Sequence, residues 1–231
     1  MDDQEQEKKQ DKERELRQSG DAAESGDGDG DEKEPSGGNP VKEMFLLAAL
    51  YLPLGFFLWF FFASALMFPT ARLFEWLLTG FFSDIYERVL QLGFQFEVQT
   101  LIILSEQVEG QTAALNIHIN PMIYAWGMAL LFGLIMATPL TARQRLVQLL
   151  GSFFAVTLVT VWGVFWETWV DLAFRSGPEA AQVARDAIFP MDMIALCYQL
   201  GYLMFPAVVP VAAWILMNRP FIEQHVLRGR R

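Results

Sequence analysis

The chain has 231 residues, 53% hydrophobic and 14% aromatic, with a formal net charge of −10. Most of the acidic excess lies in the first forty residues, and beyond Glu43 acids only slightly outnumber bases. No basic stripe is present to neutralise phosphates, which argues against nucleic acid as a partner, and the single cysteine, Cys197, cannot form an intramolecular disulfide.

Residues 1–42 are nearly free of large apolar side chains, and glycine alternates with aspartate over residues 26–31. Such a stretch cannot bury enough apolar area to offset its ordering entropy, which predicts a disordered acidic tail. Four apolar runs follow, at residues 45–68, 122–138, 146–166 and 193–217. As helices they would extend about 25–37 Å, against a bilayer core of about 30 Å. Helices this apolar all round have no soluble use in so short a chain, so the lipid bilayer is a partner. The expectation is an all-α membrane protein over residues 43–222, with four transmembrane helices, an outer β-hairpin and short interfacial helices. The first run lacks the length and cleavage site of a secretory signal and is expected to remain as a span.

Orientation follows from the basic residues. Arg143 and Arg145 lie between the second and third runs, and Arg219, Arg228, Arg230 and Arg231 lie at the C-terminal end. The first connection, residues 69–120, holds only Arg72 and Arg88. The positive-inside rule then makes both tails cytoplasmic, residues 1–42 and the basic residues 223–231, and leaves residues 69–120 and about 175–192 outside.

Within residues 69–120, Leu73, Phe74, Trp76, Leu77 and Leu78 continue the first helix past Pro69 or lie in the interface. Asp84 and Glu87 have capping-box spacing, which predicts a short helix over residues 85–92. A period-two pattern follows: Phe94, Phe96 and Val98, then, after a turn with Glu109 and Gly110, Leu115, Ile117 and Ile119. It predicts a hairpin with one apolar face, to be covered by outer helices, the membrane surface or a partner. Asn120 and Pro121 read as the N-cap and first residue of the next helix.

The third helix, if continuous over residues 146–174, is about 43 Å long and overruns the bilayer. Glu167, Asp171 and Arg175 share one face, at i, i+4 and i+8, while Trp162, Trp166 and Trp169 share another. Residues 178–188 predict a short outer helix, and Pro206 and Pro210 predict a kink in the last span.

Glu167 and Asp171 are candidates for proton or cation handling, set against an interfacial ladder in which Asp171 pairs with Arg175. Cys197 is a candidate nucleophile, set against a small packing residue. His118 falls on the polar face of the hairpin, with no second outer histidine to make a metal site. Phe96, Val98 and Ile117 are the candidate contact residues of the hairpin. No cofactor and no metal are implied, and the phosphate-loop, HExxH and GxSxG motifs do not occur.

The segments LPLGFFLWFFFA (from Leu52), FEVQTLIIL (from Phe96), AALNIHINPMIYAWG (from Ala113), VWGVFWETWVDLAF (from Val161), YQLGYLMFPAVVPVAAW (from Tyr198) and NRPFI (from Asn218) occur in this order. The arrangement is similar to that of the exosortase H-associated membrane proteins, over residues 45–222. That resemblance implies a bacterial inner-membrane protein working beside exosortase H, which processes proteins carrying a C-terminal sorting tail. It carries over no catalytic residues. Exosortases resemble one another in a cysteine, arginine and histidine set. Cys197, Arg219 and His225 occur here in that order, but about 33 Å of helix separates the first two. The expected role is therefore a non-catalytic accessory protein presenting its outer hairpin to exosortase H or its sorting substrates. The alternatives are a membrane enzyme using Cys197 or the Glu167/Asp171 pair, and a small transporter subunit.

Overall fold

The computed structural model describes residues 40–105 and 112–223. The acidic tail expected up to residue 42, the basic tail from residue 223 and the turn at Glu109 and Gly110 fall wholly or mainly outside the described residues. Helix α1 (Pro40–Phe61) breaks at Phe62, and α2 (Ala63–Phe81) continues through Pro69. Strands β1 (Tyr86–Leu92), β2 (Gln95–Ser105) and β3 (Thr112–Ile119) follow. Asn120 Oδ1 then accepts the Met122 N–H at 3.1 Å, but Pro121, read as the first helical residue, is the N-cap of α3 (Met122–Ala125), which leads into α4 (Gly127–Ala137). Thr141 and Gln144 form a reciprocal capping box at the start of α5 (Ala142–Val170), which runs on into a π-helical turn, Asp171–Arg175. Next come α6 (Pro178–Asp186), α7 (Met191–Gln199), a second π-helical turn (Leu200–Met204), α8 (Phe205–Met217) and α9 (Arg219–Ile222).

Three of these helices are long and apolar enough to cross a membrane: Lys42–Phe61, Ala142–Arg175 and Met191–Met217. The fourth apolar run forms a shorter helix, Met122–Ala137. The protein is thus a mostly helical membrane protein with a small sheet. Phe45, Leu50, Phe57 and Phe60 of α1, Phe154 of α5 and Leu216 of α8 are exposed, an outward surface matched to lipid. Lipid tails are as apolar as leucine, so close contact must hold the helices together. Gly55 lies against the Ala129 carbonyl and Gly133 against Leu52, so α1 and α4 approach more closely than side chains would allow. At the same end of the bundle as Met44, Gln148 and Asn218 exchange reciprocal amide hydrogen bonds of 2.9 and 3.2 Å. Nearby, Trp214 Nε1 donates to Thr138 Oγ1 at 3.2 Å.

At the other end sits an antiparallel sheet in the order β1-β2-β3. The hairpin pairs Phe96 with Ile119 and Val98 with Ile117, the alternation read from the sequence. Residues 85–92 are not the helix that the Asp84 and Glu87 spacing predicts. They form β1, because Gly93, at φ 66°, turns the chain in two residues and sets Leu92 opposite Gln95. The pairing with β2 then outweighs the capping signal.

The inner sheet face is core, not contact surface. Phe96 and Val98 are fully buried, Ile117 and Ile119 nearly so. Phe96 stacks on Phe74 of α2 at 6.2 Å between ring centroids. Trp169 of α5 meets Tyr86 at 5.9 Å, Phe82 at 5.0 Å and Phe189 at 5.3 Å. Burial pushes the Tyr86 phenol far above its ordinary pKa. Of the covers the sequence left open for the hairpin, the structure uses the helices. Phe96, Val98 and Ile117 therefore offer a partner no accessible surface, and a charge at any of them would disrupt the sheet itself. Phe96→Ala should cost about 3–5 kcal/mol, and the exposed His118→Ala no more than about 0.5 kcal/mol. Thermal unfolding of the full chain in detergent, followed by hydrogen exchange in the sheet, measures both.

Candidate functional site

Two groups of polar side chains gather at the sheet-bearing end. The first surrounds the top of α5. Glu167, Asp171 and Arg175 share a face as their spacing predicts, but they do not form one simple ladder. Arg175 Nη1 donates to Asp171 Oδ1 at 2.6 Å, whereas Glu167 Oε2 accepts from the Tyr124 hydroxyl of α3 at 2.9 Å. The Arg175 guanidinium lies 5.8 Å from the Tyr198 ring centroid. Tyr198 stacks on Tyr202 at 5.7 Å, and Tyr202 meets Tyr124 edge-on at 6.3 Å. These six side chains close a ring between α3, α5 and α7, each carboxylate with its own partner.

Local helix geometry builds this ring. Asp171 and Arg175 belong to the first π-helical turn, Tyr202 to the second. A π turn widens the helix by one residue and redirects the side chains that follow, and such turns recur at functional sites. Gly163 has no Cβ, and one added there would fall on the Tyr124 ring. At Gly201 an added Cβ would meet Trp162 Cδ1 at 2.9 Å. Gly163 allows Tyr124 to lie across α5 and reach Glu167, and Gly201 lets the second π-helical turn lie close against α5.

The second group is the outer face of the sheet. Glu97, in the central strand, is its hub. Asn116 Nδ2 donates to Glu97 Oε1 at 3.0 Å, Gln99 Nε2 donates to the same oxygen at 3.4 Å, and His118 Nε2 lies 3.5 Å from Oε2. Arg88 Nε donates to Gln99 Oε1 at 2.7 Å, which ties β1 into the network. His118, 62% exposed, is the most accessible member of the pair with Glu97.

Cys197 lies apart from both groups as a half-buried packing residue beside the main core. Its backbone carbonyl, not its thiol, is engaged, accepting from Trp162 Nε1 at 3.2 Å. The second π turn and α8 separate it from Arg219, as the sequence distance implies. Sequence reasoning missed Tyr124, Arg88, Glu97 and Asn116. The period-two pattern put Glu97 and Asn116 on the polar face with His118, a signal that could have found them. Nothing in the chain links Tyr124 to Glu167 before the helices are packed.

These features define a helical membrane protein with a small antiparallel sheet packed on one end of its helices. Residues 38–221 match the family described as exosortase H-associated membrane protein, and the chain belongs to that family. Among curated proteins and among solved structures, nothing matches it.

The glycine contacts give a direct test. Gly163→Ala should destabilise the protein by about 1–3 kcal/mol through overpacking on Tyr124. Gly151→Ala, whose Cβ would meet only Met217 Sδ at 3.9 Å, should be neutral or slightly stabilising. Melting of the two variants in the same detergent compares them.

Proposed function

We propose that this chain is a non-catalytic accessory protein of an exosortase H-type protein-sorting system in the bacterial inner membrane. Its sheet-bearing end faces outward and meets the sortase or its sorting substrates. In this reading Met122–Ala137, about 24 Å long, crosses as a fourth span beside α1 and α8, and both termini are cytoplasmic. His118 belongs to the presented surface. Phe96, Val98 and Ile117 act from beneath it, by holding the sheet in place.

The observation that carries the proposal is the outer face itself. Polar side chains from three strands are locked around Glu97 and point away from the helices. A locked polar surface binds a partner without first losing side-chain entropy. The polar groups near the helix ends, by contrast, are occupied with one another: Asp171 with Arg175, Glu167 with Tyr124.

Deleting the gene should abolish cleavage of a sorting-tail substrate while exosortase H remains at its normal level. A gel shift of the substrate and an immunoblot of the sortase read the two quantities. Normal cleavage in the deletion strain would remove the chain from the sorting step. Complementation then separates the roles. Glu97→Arg should lower co-purification with the partner about tenfold in a folded protein, because a reversed charge meets the partner's complementary surface. Cys197→Ala and Asp171→Asn should restore cleavage fully. Loss of cleavage in either, with the protein still inserted, would favour a membrane enzyme.

A further inference from the structure

Strand β1 is an edge strand. In the order β1-β2-β3 it has β2 on one side and, among the described residues, no strand on the other. Its hairpin with β2 closes through the two residues Gly93 and Phe94, with Leu92 opposite Gln95. A two-residue turn closes on a hydrogen-bonded pair, and bonded and non-bonded pairs alternate from there. Leu92, Leu90 and Arg88 therefore direct their N–H and C=O groups toward β2. Val89 and Gln91 direct theirs away from it. Among the described residues, no backbone hydrogen bond from a loop or cap reaches either of them.

What faces those groups is a groove of about 1010 Å³. Residues 88–91 form one wall and α2 the other, with Phe62, Phe68 and Ala71 supplying its apolar lining and Arg72 and Glu75 its charged rim. Arg72 is paired with Glu75 at 2.7 Å and lies over the Phe68 ring at 5.3 Å. Gln91 Nε2 donates to the Ser64 carbonyl at 2.7 Å and so bridges the two walls at one end.

We propose that this groove takes up an extended polypeptide segment of a partner protein as a fourth strand, antiparallel or parallel to β1. The segment's main chain would pair with Val89 and Gln91. Its side chains on one face, apolar at alternate positions, would rest on Phe62, Phe68 and Ala71, and those on the other would face water. A lipid acyl chain satisfies none of the main-chain groups along the wall. A second copy of the sheet edge would bring its own α2 into the same space. The described residues begin and end at the opposite end of the helices. Met44 and Ala48 of α1 pack with Ala137 and Trp214 there, close to where Asn218 ends α8, whereas the groove begins at Phe62, beyond the far end of α1. Because α1 is a membrane-capable helix, the groove lies at a membrane boundary. The segment it fits is an extended stretch bordering a membrane. This inference does not depend on the identity of the partner proposed above.

The test uses the full chain in lipid nanodiscs and a phage-displayed library of short random peptides. Gln91→Pro removes a donor that the β1–β2 ladder does not use, a change edge strands tolerate. Ala65→Trp fills the groove from the helix side and leaves β1 untouched. Gly151→Ala, on α5 and outside the groove lining, serves as the control. Peptides selected on the wild type should bind Gly151→Ala equally and the Gln91→Pro and Ala65→Trp variants about tenfold more weakly. They should slow hydrogen exchange at the Val89 and Gln91 amides relative to the free protein. Circular dichroism and the exchange pattern of β2–β3 verify that each variant is folded, and Ala65→Trp alone decides if Gln91→Pro is not. The proposal is overturned by any of three results: no peptide is enriched, enriched peptides bind Ala65→Trp as tightly as the wild type, or the two amides are already protected without peptide. The last would mean that lipid, a second copy or the chain itself occupies the edge.

Discussion

The inner face of the sheet, Phe96, Val98, Ile117 and Ile119, has to be covered, and its cover fixes everything else at that end of the molecule. A sheet with one apolar face is stable only when that face is covered by another layer. The cover comes from Phe74 of α2 and from the aromatic group around Trp169, which joins Phe82, Tyr86 and Phe189. Trp169 is available because α5 is longer than a bilayer requires. The apolar helix Ala142–Arg175 has 34 residues, about 51 Å, against a hydrocarbon core of about 30 Å. The surplus carries Trp169, fully buried, against Tyr86 of the sheet. Removing the surplus would leave the sheet without its support and the ring around Glu167 without two of its members.

The same length explains why the ionisable groups are where they are. A carboxylate in hydrocarbon is costly, and helices place such groups where they can be paired or reach water. Glu167 and Asp171 stand on the part of α5 that meets α3 and α7, and each finds a partner there: a tyrosine hydroxyl and a guanidinium. The tyrosines between them, amphipathic by nature, join α3 to α7 and the second π-helical turn. Interhelical contact in this region depends on absent side chains, at Gly163 and Gly201, just as the α1–α4 contact depends on Gly55 and Gly133. Close approach with a few polar bonds replaces the hydrophobic driving force that lipid removes.

Much of this architecture was legible in the sequence, because it follows from periodicity. The alternating faces of the hairpin, the helix start just after Asn120, the overlong third helix and the Asp171–Arg175 pair all come from spacing along one element. Two kinds of feature did not come through. Strand β1 was hidden because Asp84 and Glu87 imitate a helix start, while the decisive signal, Gly93 between two strand-compatible runs, is a property of the turn. The burial of Phe96, Val98 and Ile117 was visible as an apolar face but not as a covered one, since cover depends on which helices pack there. The ring at Tyr124 and Glu167 joins residues 43 positions apart, and no local pattern encodes that contact.

Edge strands are usually guarded, and the way β1 is guarded bears on what its groove can do. Natural sheets protect an open edge with bulges and charges, which twist it away or make pairing costly. β1 has both, but only at its start: the register shifts between Tyr86 and Arg88, and Glu87 and Arg88 place charges there. From Val89 to Gln91 neither device is present, and that is the stretch that faces α2. Full guarding would have closed the groove, and no guarding would have left the whole strand open to indiscriminate pairing. The unguarded stretch offers the outward groups of two residues, so main-chain bonds alone give little affinity. Selectivity must then come from side chains that reach Phe62, Phe68 and Ala71, which makes the apolar wall of α2, rather than the strand edge, the part that decides which segment is accepted.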